Sequence, residues 1–409
     1  MGRLSLRIKI GRISVGSAVV MRARTPLTAS IAAGVVLILL AQSATATTWL
    51  PTRSLGGSFA GPGAMAMAGS NTVGVAYTQI SNFVGRVYFR RSTDGGATWR
   101  TAMPISPSNV VAHDAALSSW GSTFDLVWLQ EDPDGDLRVR YARSTDGGVN
   151  WGAFKTISQA GVSAHPPRVA RDGAGRVAIV WTGSELGVGS KVYARVSNNA
   201  GTTFGTRRTL DGSATSGSLP NVAIGKYGRI HSAFYDNGDQ LVYRRSRDGG
   251  GTWSSPQILR TGLEGFVAPA MAAAGKQLLI GYTATNAQSD RFVVYRRSID
   301  NGAHFQAQVN LSGPAAKDTW GLILSVRSGT WRAEFARCGD TDPCSGNAID
   351  LAISRSVSGG TNWSSPEVVP TAGYDNPVPA GISGGNKTVV AWTRDNGAQF
   401  VGVYARRAQ

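Results

Sequence analysis

The chain has 409 residues, is 42% hydrophobic and 16% charged, and contains 52 Gly and 11 Trp. This composition excludes intrinsic disorder, and Gly without a three-residue period excludes collagen. Two Cys and four scattered His exclude a disulfide-rich scaffold and a Cys- or His-rich metal cluster.

Residues 1–46 read as an export segment. Arg3, Arg7, Lys9, Arg12, Arg22 and Arg24 stand there without an acidic residue, an apolar run covers Ile31 to Leu40, and Ala44-Thr45-Ala46 forms a small-residue cleavage site. Met21 fits the start of an ordinary signal peptide, which makes 1–20 a start-site extension. The apolar run is short for a bilayer span of about 20 residues, so cleavage is expected over a retained anchor. Residues 47–409 are then expected to form a single secreted, extracellular domain, monomeric and without a membrane span. The formal charge falls from +16 to +10 when six of the 41 basic residues leave. A positive balance favours anionic partners such as acidic polysaccharide, and the absence of a clustered basic run argues against nucleic acid.

The rest of the chain repeats. Ser92-Thr93-Asp94-Gly95-Gly96-Ala97-Thr98-Trp99 returns at Ser144–Trp151 and Ser246–Trp253, with weaker copies at Ser197–Phe204, Ser298–Phe305 and Ser356–Trp363. Their spacing of about 50 residues signals a repeat architecture. The Asp or Ser side chain can hold a tight turn, Gly supplies positive φ, and the closing Trp or Phe can fill the apolar layer between units. Before each copy lies a strand such as VYFRRS, and further upstream a strand ends in an aromatic residue at Tyr77, Trp128, Trp181, Phe234, Tyr282, Phe335 and Trp392. The last unit stops after Val401–Arg406, and the segment from Thr47 to Arg53 resembles the missing fourth strand. The expected fold is all-β: a seven-bladed β-propeller of four-stranded antiparallel blades, with the N-terminal strand completing the last blade.

The motif S-x-D-x-G-x-T-W is similar to the Asp-box, or BNR repeat, of sialidases and related propellers. That resemblance covers nearly all of 47–409. It implies a fold shared by hydrolases, lyases, lectins, sorting receptors and assembly factors; familiar sialidases have six blades. A sialidase uses an Arg triad for the substrate carboxylate, a Tyr–Glu nucleophile pair and an Asp acid/base. The first triad Arg belongs to a Phe-Arg-Ile-Pro motif, where this chain has Phe59-Ala60-Gly61-Pro62, and the loop Gln79 to Gly85, expected to hold the Asp, has no acidic residue. The catalytic assignment is therefore not carried over.

In a four-strand meander the Asp-boxes share one face with the first short turns, which leaves longer, more varied loops on the other. These offer His113, Asp114, His165, Arg168, Asn221, Glu264, Phe266, Lys317, Trp320, Tyr374 and Asp375, with Arg337 and Arg394 from the second set of loops. Trp320, Phe266 and Tyr374 would stack on sugar faces, while Arg168 and Lys317 meet anionic groups. Arg168, Arg337 and Arg394 with Tyr374 and Glu264 are the set that would rebuild a catalytic site, and Asp114 is a further acid. The sequence thus supports recognition of a glycan or other extracellular polymer, or alternatively a glycoside hydrolase or polysaccharide lyase with a non-standard site. No cofactor is expected. Asp132, Asp134 and Asp136 alternate as Ca²⁺ ligands do, but Arg143 stands where an EF-hand loop has its distal Glu, which favours a solvated turn. Cys338 and Cys344 are expected to be bonded in an exported protein. Arg91, Arg143, Arg245, Arg297 and Arg355 recur beside the turns and read as contacts between blades.

Overall fold

The computed structural model describes residues 48–56, 63–185, 187–212, 216–263, 267–286, 290–313, 318–338, 349–370, 376–384, 388–395 and 400–407, with backbone only at 376–377, 382–384, 394–395 and 400–407. The export segment of the sequence reading lies outside these residues. Among them no helix is long and apolar enough to cross a membrane.

The strands form seven antiparallel sheets. Six are each built from one stretch of chain. Blade 1 contains Ala64–Ala68, Thr72–Ser81, Val84–Ser92 and Met103–Pro104, from the inner strand outward. Blade 2 contains Ala112–Trp120, Thr123–Glu131, Leu137–Ser144 and Lys155–Thr156. Blade 3 contains Arg168–Arg171, Val177–Glu185, Gly189–Ser197 and Arg208–Thr209, with Ser163–Ala164 pairing the far end of its second strand. Blade 4 contains Ser218–Ile224, Ile230–Asp236, Gln240–Ser246 and Gln257–Arg260. Blade 5 contains Ala270–Ala274, Gln277–Thr285, Arg291–Ser298 and Val309–Asn310, and blade 6 contains Thr319–Arg327, Thr330–Cys338, Ile349–Ser356 and Glu367–Val369. The remaining sheet is composite. Asn376–Gly384, Thr388–Asp395 and Phe400–Arg407 come from one end of the chain and Arg53–Ser54 from the other, with Arg53 opposite Ala405 and Ser54 opposite Tyr404. Inner strands follow one another in chain order, and Asn376–Gly384 returns to Ala64–Ala68. The molecule is therefore a β-propeller, in which ring closure suppresses free sheet edges.

The core lies between blades rather than at one centre. Blades 1 and 2 share a layer containing Phe89, Phe124 and Trp128; blades 2 and 3 share Leu129, Tyr141 and Trp181; blades 3 and 4 share Val180, Val196 and Phe234. The composite sheet packs Val389, Ala391 and Leu55 against Met65, Val75 and Tyr77 of blade 1. The aromatic strand ends recognised in the sequence are all buried, each no more than 2% exposed.

The repeated turn holds its shape by side chain to backbone bonds. Ser92 Oγ donates to Asp94 Oδ1 (2.7 Å), which accepts from the N–H groups of Ala97 (3.0 Å) and Thr98 (2.9 Å), while Gly96 N–H donates to Ser92 Oγ (2.8 Å). Blade 3 keeps the arrangement with Asn199, whose Oδ1 accepts from Thr203 N–H (2.9 Å), and blade 6 keeps it with Ser358, which accepts from Asn362 N–H (2.8 Å). An acid is thus dispensable here, and the carboxylates are turn-holders. The turns share a face with the short first turns: Gly147 N–H donates to Ser122 O (2.7 Å) and Asn301 N–H to Lys276 O (2.9 Å).

The turns of blades 2 to 6 also dock on the preceding blade. Gly148 has φ +82°, and a Cβ there would lie 2.4 Å from the Phe89 ring of blade 1; only glycine gives both the backbone angle and the space. The closing Trp151 meets the same ring edge-on at 5.0 Å, and Phe204 meets Tyr141 of blade 2 likewise at 5.0 Å. The arginines beside the turns reinforce this contact: Arg245 donates to Asn301 O (3.0 Å) and Arg297 to Gly359 O (2.7 Å), both in the following blade.

Two expectations follow. The backbone N–H of Asn150, with the Ser144 hydroxyl and Asn150 side chain, lowers the Asp146 pKa from 3.8 to about 2 against the opposing effect of burial. A lowered carboxyl pKa contributes stability that is complete above 3.8 and lost as pH falls through about 2. The thermal midpoint of Asp146→Asn should therefore fall less steeply across that interval than the wild type's, and an equal slope would contradict the turn's role. Separately, deleting residues 47–55 removes the outer composite strand and Leu55, a buried side chain worth about 1.5–3 kcal/mol. The denaturant midpoint should drop, and an unchanged midpoint would show that closure contributes nothing.

Candidate functional site

On the face opposite the repeated turns, the inner strands are irregular. Register shifts fall between His113 and Ala116, Ser218 and Asn221, Trp320 and Ile323, and Pro379 and Gly381. Blade 3 breaks its inner edge at the same level, where His165-Pro166-Pro167 separates Ser163–Ala164 from Arg168–Arg171. Asp114 and Leu219 take positive φ of 55° and 49°. An extra residue in one strand bends it and re-aims its side chains, and left-handed non-glycine residues mark local strain. Three positions flagged from the sequence, His113–Asp114, Asn221 and Trp320, lie at these irregularities.

Blades 2 and 3 bring His113, Asp114 and Arg168 to neighbouring inner strands. His113 Nδ1 and Asp114 Oδ2 are 2.8 Å apart, with side chains 33% and 36% exposed. Burial lowers the pKa of the half-buried Arg168, and the Asp114 carboxylate opposes that shift. Its guanidinium donates to Pro167 O (3.0 Å), which engages one nitrogen of a five-donor fork. The cluster offers a cation, a carboxylate and an imidazole to solvent at the inner ring.

The other flagged residues divide. His165 Nε2 pairs with Ser184 Oγ (2.7 Å) at the exposed edge of blade 3, so the two histidines have different partners despite their similar places in the repeat. Asn221 is a bridge between blades: Nδ2 donates to Pro269 O (2.8 Å) and Oδ1 accepts from Val222 N–H (2.7 Å). Trp320 carries the Arg291 guanidinium 4.7 Å from its ring centre, and Arg291 is fixed by Asp318 at 3.1 Å; one stacking face is already occupied. Arg337 is 3.9 Å from Asp350 at the end of its strand in blade 6. Glu264, Phe266, Lys317, Tyr374 and Asp375 lie outside the described residues, and Arg394 is described by its backbone alone. Of the set that would rebuild a catalytic site, only Arg168 and Arg337 have described side chains, on blades 3 and 6.

Asp132, Asp134 and Asp136 do not wait for calcium. They surround the buried Arg138 guanidinium, at 3.8 Å from Asp132 and 3.1 Å from Asp136, with Asp134 bonded to its other terminus, and Asp132 also pairs with Arg140. Two guanidiniums, Arg138 and Arg140, already engage the three carboxylates. Among the described residues no group of three or more His, Cys, Asp or Glu is placed to hold a metal. Arg143 serves Asp125, a fully buried carboxylate that also bonds Arg171 and Tyr141 across blades 2 and 3. Cys338 is disulfide-bonded; Cys344, the chain's other cysteine, lies outside the described residues.

Two acids passed over in the sequence stand out in the fold. Glu334 sits just before the buried aromatic of blade 6, where the other sheets have Ala76, Val127, Val180, Ala233, Gly281 and Ala391. It has no exposure; Oε2 accepts from Gly381 N–H (3.2 Å) at the irregularity of the neighbouring sheet, and Oε1 has no partner. Burial raises its pKa well above 4.5 against the opposing Gly381 bond, so Glu334 is a neutral acid. Asp211 of blade 3 occupies the place of Ser106 and Ser158, whose hydroxyls accept from Val87 (3.0 Å) and Val139 (2.9 Å) N–H. It is 5% exposed, and burial pushes its pKa up to about 6, while the nearby Val192 N–H and Lys191 oppose the rise and Asp236 adds to it. The signal for both was present in the aligned repeats, as an acid where other blades have Ala, Val or Gly (Glu334) or, in blades 1, 2 and 5, Ser (Asp211).

No family model matches the chain, and no curated protein matches it. Solved structures do. A Trypanosoma rangeli sialidase in complex with sialic acid superposes with a TM-score of 0.51 at 10% identity, over 85% of this chain and 54% of that one. The same organism's sialidase with the inhibitor DANA gives 0.50 at 12% identity, over 74% and 55%. A polysaccharide lyase, an ulvan lyase, gives 0.47 at 12% identity, over 71% and 78%. The chain therefore spans about half the length of the trypanosomal sialidases, and the likeness establishes the propeller fold.

The Glu334 carboxyl supplies a test of the site's support. A raised carboxyl pKa contributes stability that is complete below 4.5 and lost as pH rises through the folded-state value. Glu334→Gln removes that titration while keeping an acceptor for Gly381. Its thermal midpoint should exceed the wild type's at pH 8, with the difference vanishing at pH 4.5; parallel pH profiles would contradict a buried neutral acid.

Proposed function

We propose that this protein is a secreted, sialidase-like propeller of the Asp-box type that recognises an anionic glycan or related extracellular polymer through its inner loop face. The observation that carries this reading is the Arg168 guanidinium of blade 3, within electrostatic reach of the Asp114 carboxylate that pairs with His113 on the irregular inner strand of blade 2. A planar guanidinium fork suits the carboxylate of an acidic sugar. The paired Asp114 and His113 suit adjacent hydroxyls, with the carboxylate as acceptor and the imidazole as donor or acceptor. Export of residues 47–409 after cleavage, a monomeric state and the net positive charge belong to the same reading. The neighbours described as sialidases, one holding sialic acid, support a carbohydrate partner.

A glycoside hydrolase or lyase is the second reading, and Asp211 is the observation that favours it. A carboxyl with a pKa of about 6 is suited to general acid work near neutral pH. Recognition is preferred because Ala60 stands in place of the first triad Arg and the Gln79–Gly85 loop supplies no acid.

Glycan-array binding followed by titration with the retained acidic glycan tests the first reading. Arg168→Ala should weaken binding by roughly tenfold or more, the usual scale for a lost charged hydrogen bond; unchanged affinity would overturn it. The same protein should not turn over a fluorogenic sialoside. Turnover lost in Asp211→Asn would instead establish the enzyme reading.

A further inference from the structure

We propose a second binding site, a rim groove between blades 1 and 2 that takes an anionic polysaccharide segment. It is separate from the inner loop face and does not rest on the function proposed for that face.

The groove has two joined sections. One, of about 420 Å³, is lined by Met103, Pro104 and Ile105 of blade 1 and by Val149, Trp151 and Phe154 of blade 2. It continues past Met103 and Val149 into a section of about 300 Å³ flanked by Arg91 and Arg100. Both volumes lie at the lower end of the range for ligand sites, about 300–1,000 Å³. Phe154 and Val149 are 41% and 40% exposed, and the Phe154 ring is braced by Trp128 at 5.9 Å and by the Arg140 guanidinium at 5.5 Å. An apolar wall thus runs directly into a cationic one.

The arginines identify the occupant. In other blades the arginine preceding the repeated turn is engaged: Arg143 with Asp125, Arg245 with Asn301 O, Arg297 with Gly359 O and Arg355 with Glu367. Arg91 holds the same place in blade 1 and Arg100 lies beside it, yet among the described residues no acid or carbonyl partners either guanidinium. Two uncompensated guanidiniums at one end of an apolar groove complement carboxylate or sulfate groups carried on sugar rings. Sugar faces would lie against Phe154 and Trp151. A peptide strand is a poorer fit, because the outer strand of blade 1 is only Met103–Pro104 and proline lacks the N–H needed for strand addition.

The test is calorimetric titration of the purified protein with an oligogalacturonate, with a dextran fragment as neutral control and a poly-glutamate peptide as acidic control. Arg91→Ala/Arg100→Ala and Phe154→Ala should each weaken oligogalacturonate binding by about tenfold or more at an unchanged melting temperature. Dextran and poly-glutamate should bind more weakly than oligogalacturonate. Equal affinity for dextran, stronger binding of poly-glutamate, or no detectable oligogalacturonate binding would overturn the proposal. Wild-type affinity in both groove variants with loss only in Arg168→Ala would also overturn it, while supporting the inner-face reading.

Discussion

The structure depends on one repeated contact, in which the tight turn of each of blades 2 to 6 is pressed against the preceding blade. The second glycine of the turn leaves room for a neighbouring side chain. Gly148 lies against Phe89 and Gly302 against Tyr243, and the closing Trp151 and Phe305 cover the same neighbours; in blade 6 Gly360 lies against Leu279 while Trp363 meets Tyr295. Where the turn has an aspartate, that side chain is bound into its own turn. The turn is therefore the device that makes separate four-stranded sheets into one body, and it spends its acids and many of its arginines doing so.

This division of labour explains what the opposite face is free to do. With the layers between blades fixed from the turn side, inner strands tolerate extra residues and left-handed backbone at the other end. Asp114 at φ 55° and Leu219 at φ 49° sit in such places. The same constraint explains the buried acids. Glu334 replaces an aliphatic residue between the sheets, and its Oε2 accepts from the N–H of Gly381 at the irregularity of the adjacent inner strand. Polarity introduced into a repeat that does not need it is anchored to the loop face.

The fold was legible because the repeat is regular: motif spacing, aromatic strand ends and the orphan strand near Arg53 each follow from sequence periodicity. The site was only partly legible, because the sequence locates a residue on a face without stating its partner. Asn221 and Trp320 lie where the loops suggested, but one is taken up by Pro269 O and the other by Arg291. The carboxylates of 132–136 resemble a metal loop in sequence, yet they enclose Arg138, two residues beyond the last of them. Glu334 and Asp211 are not legible from loop position, because both are departures within the repeat itself.

The central claim is that an anionic glycan is held at the inner ring by blades 2 and 3. Hydrogen–deuterium exchange, comparing the free protein with the protein saturated with an acidic glycan, tests this most directly. The account predicts protection concentrated in Ala112–Trp120 and in the segment from His165 to Arg171, with the repeated turns unaffected. Protection confined to the turn face, with these inner segments unchanged, would contradict it.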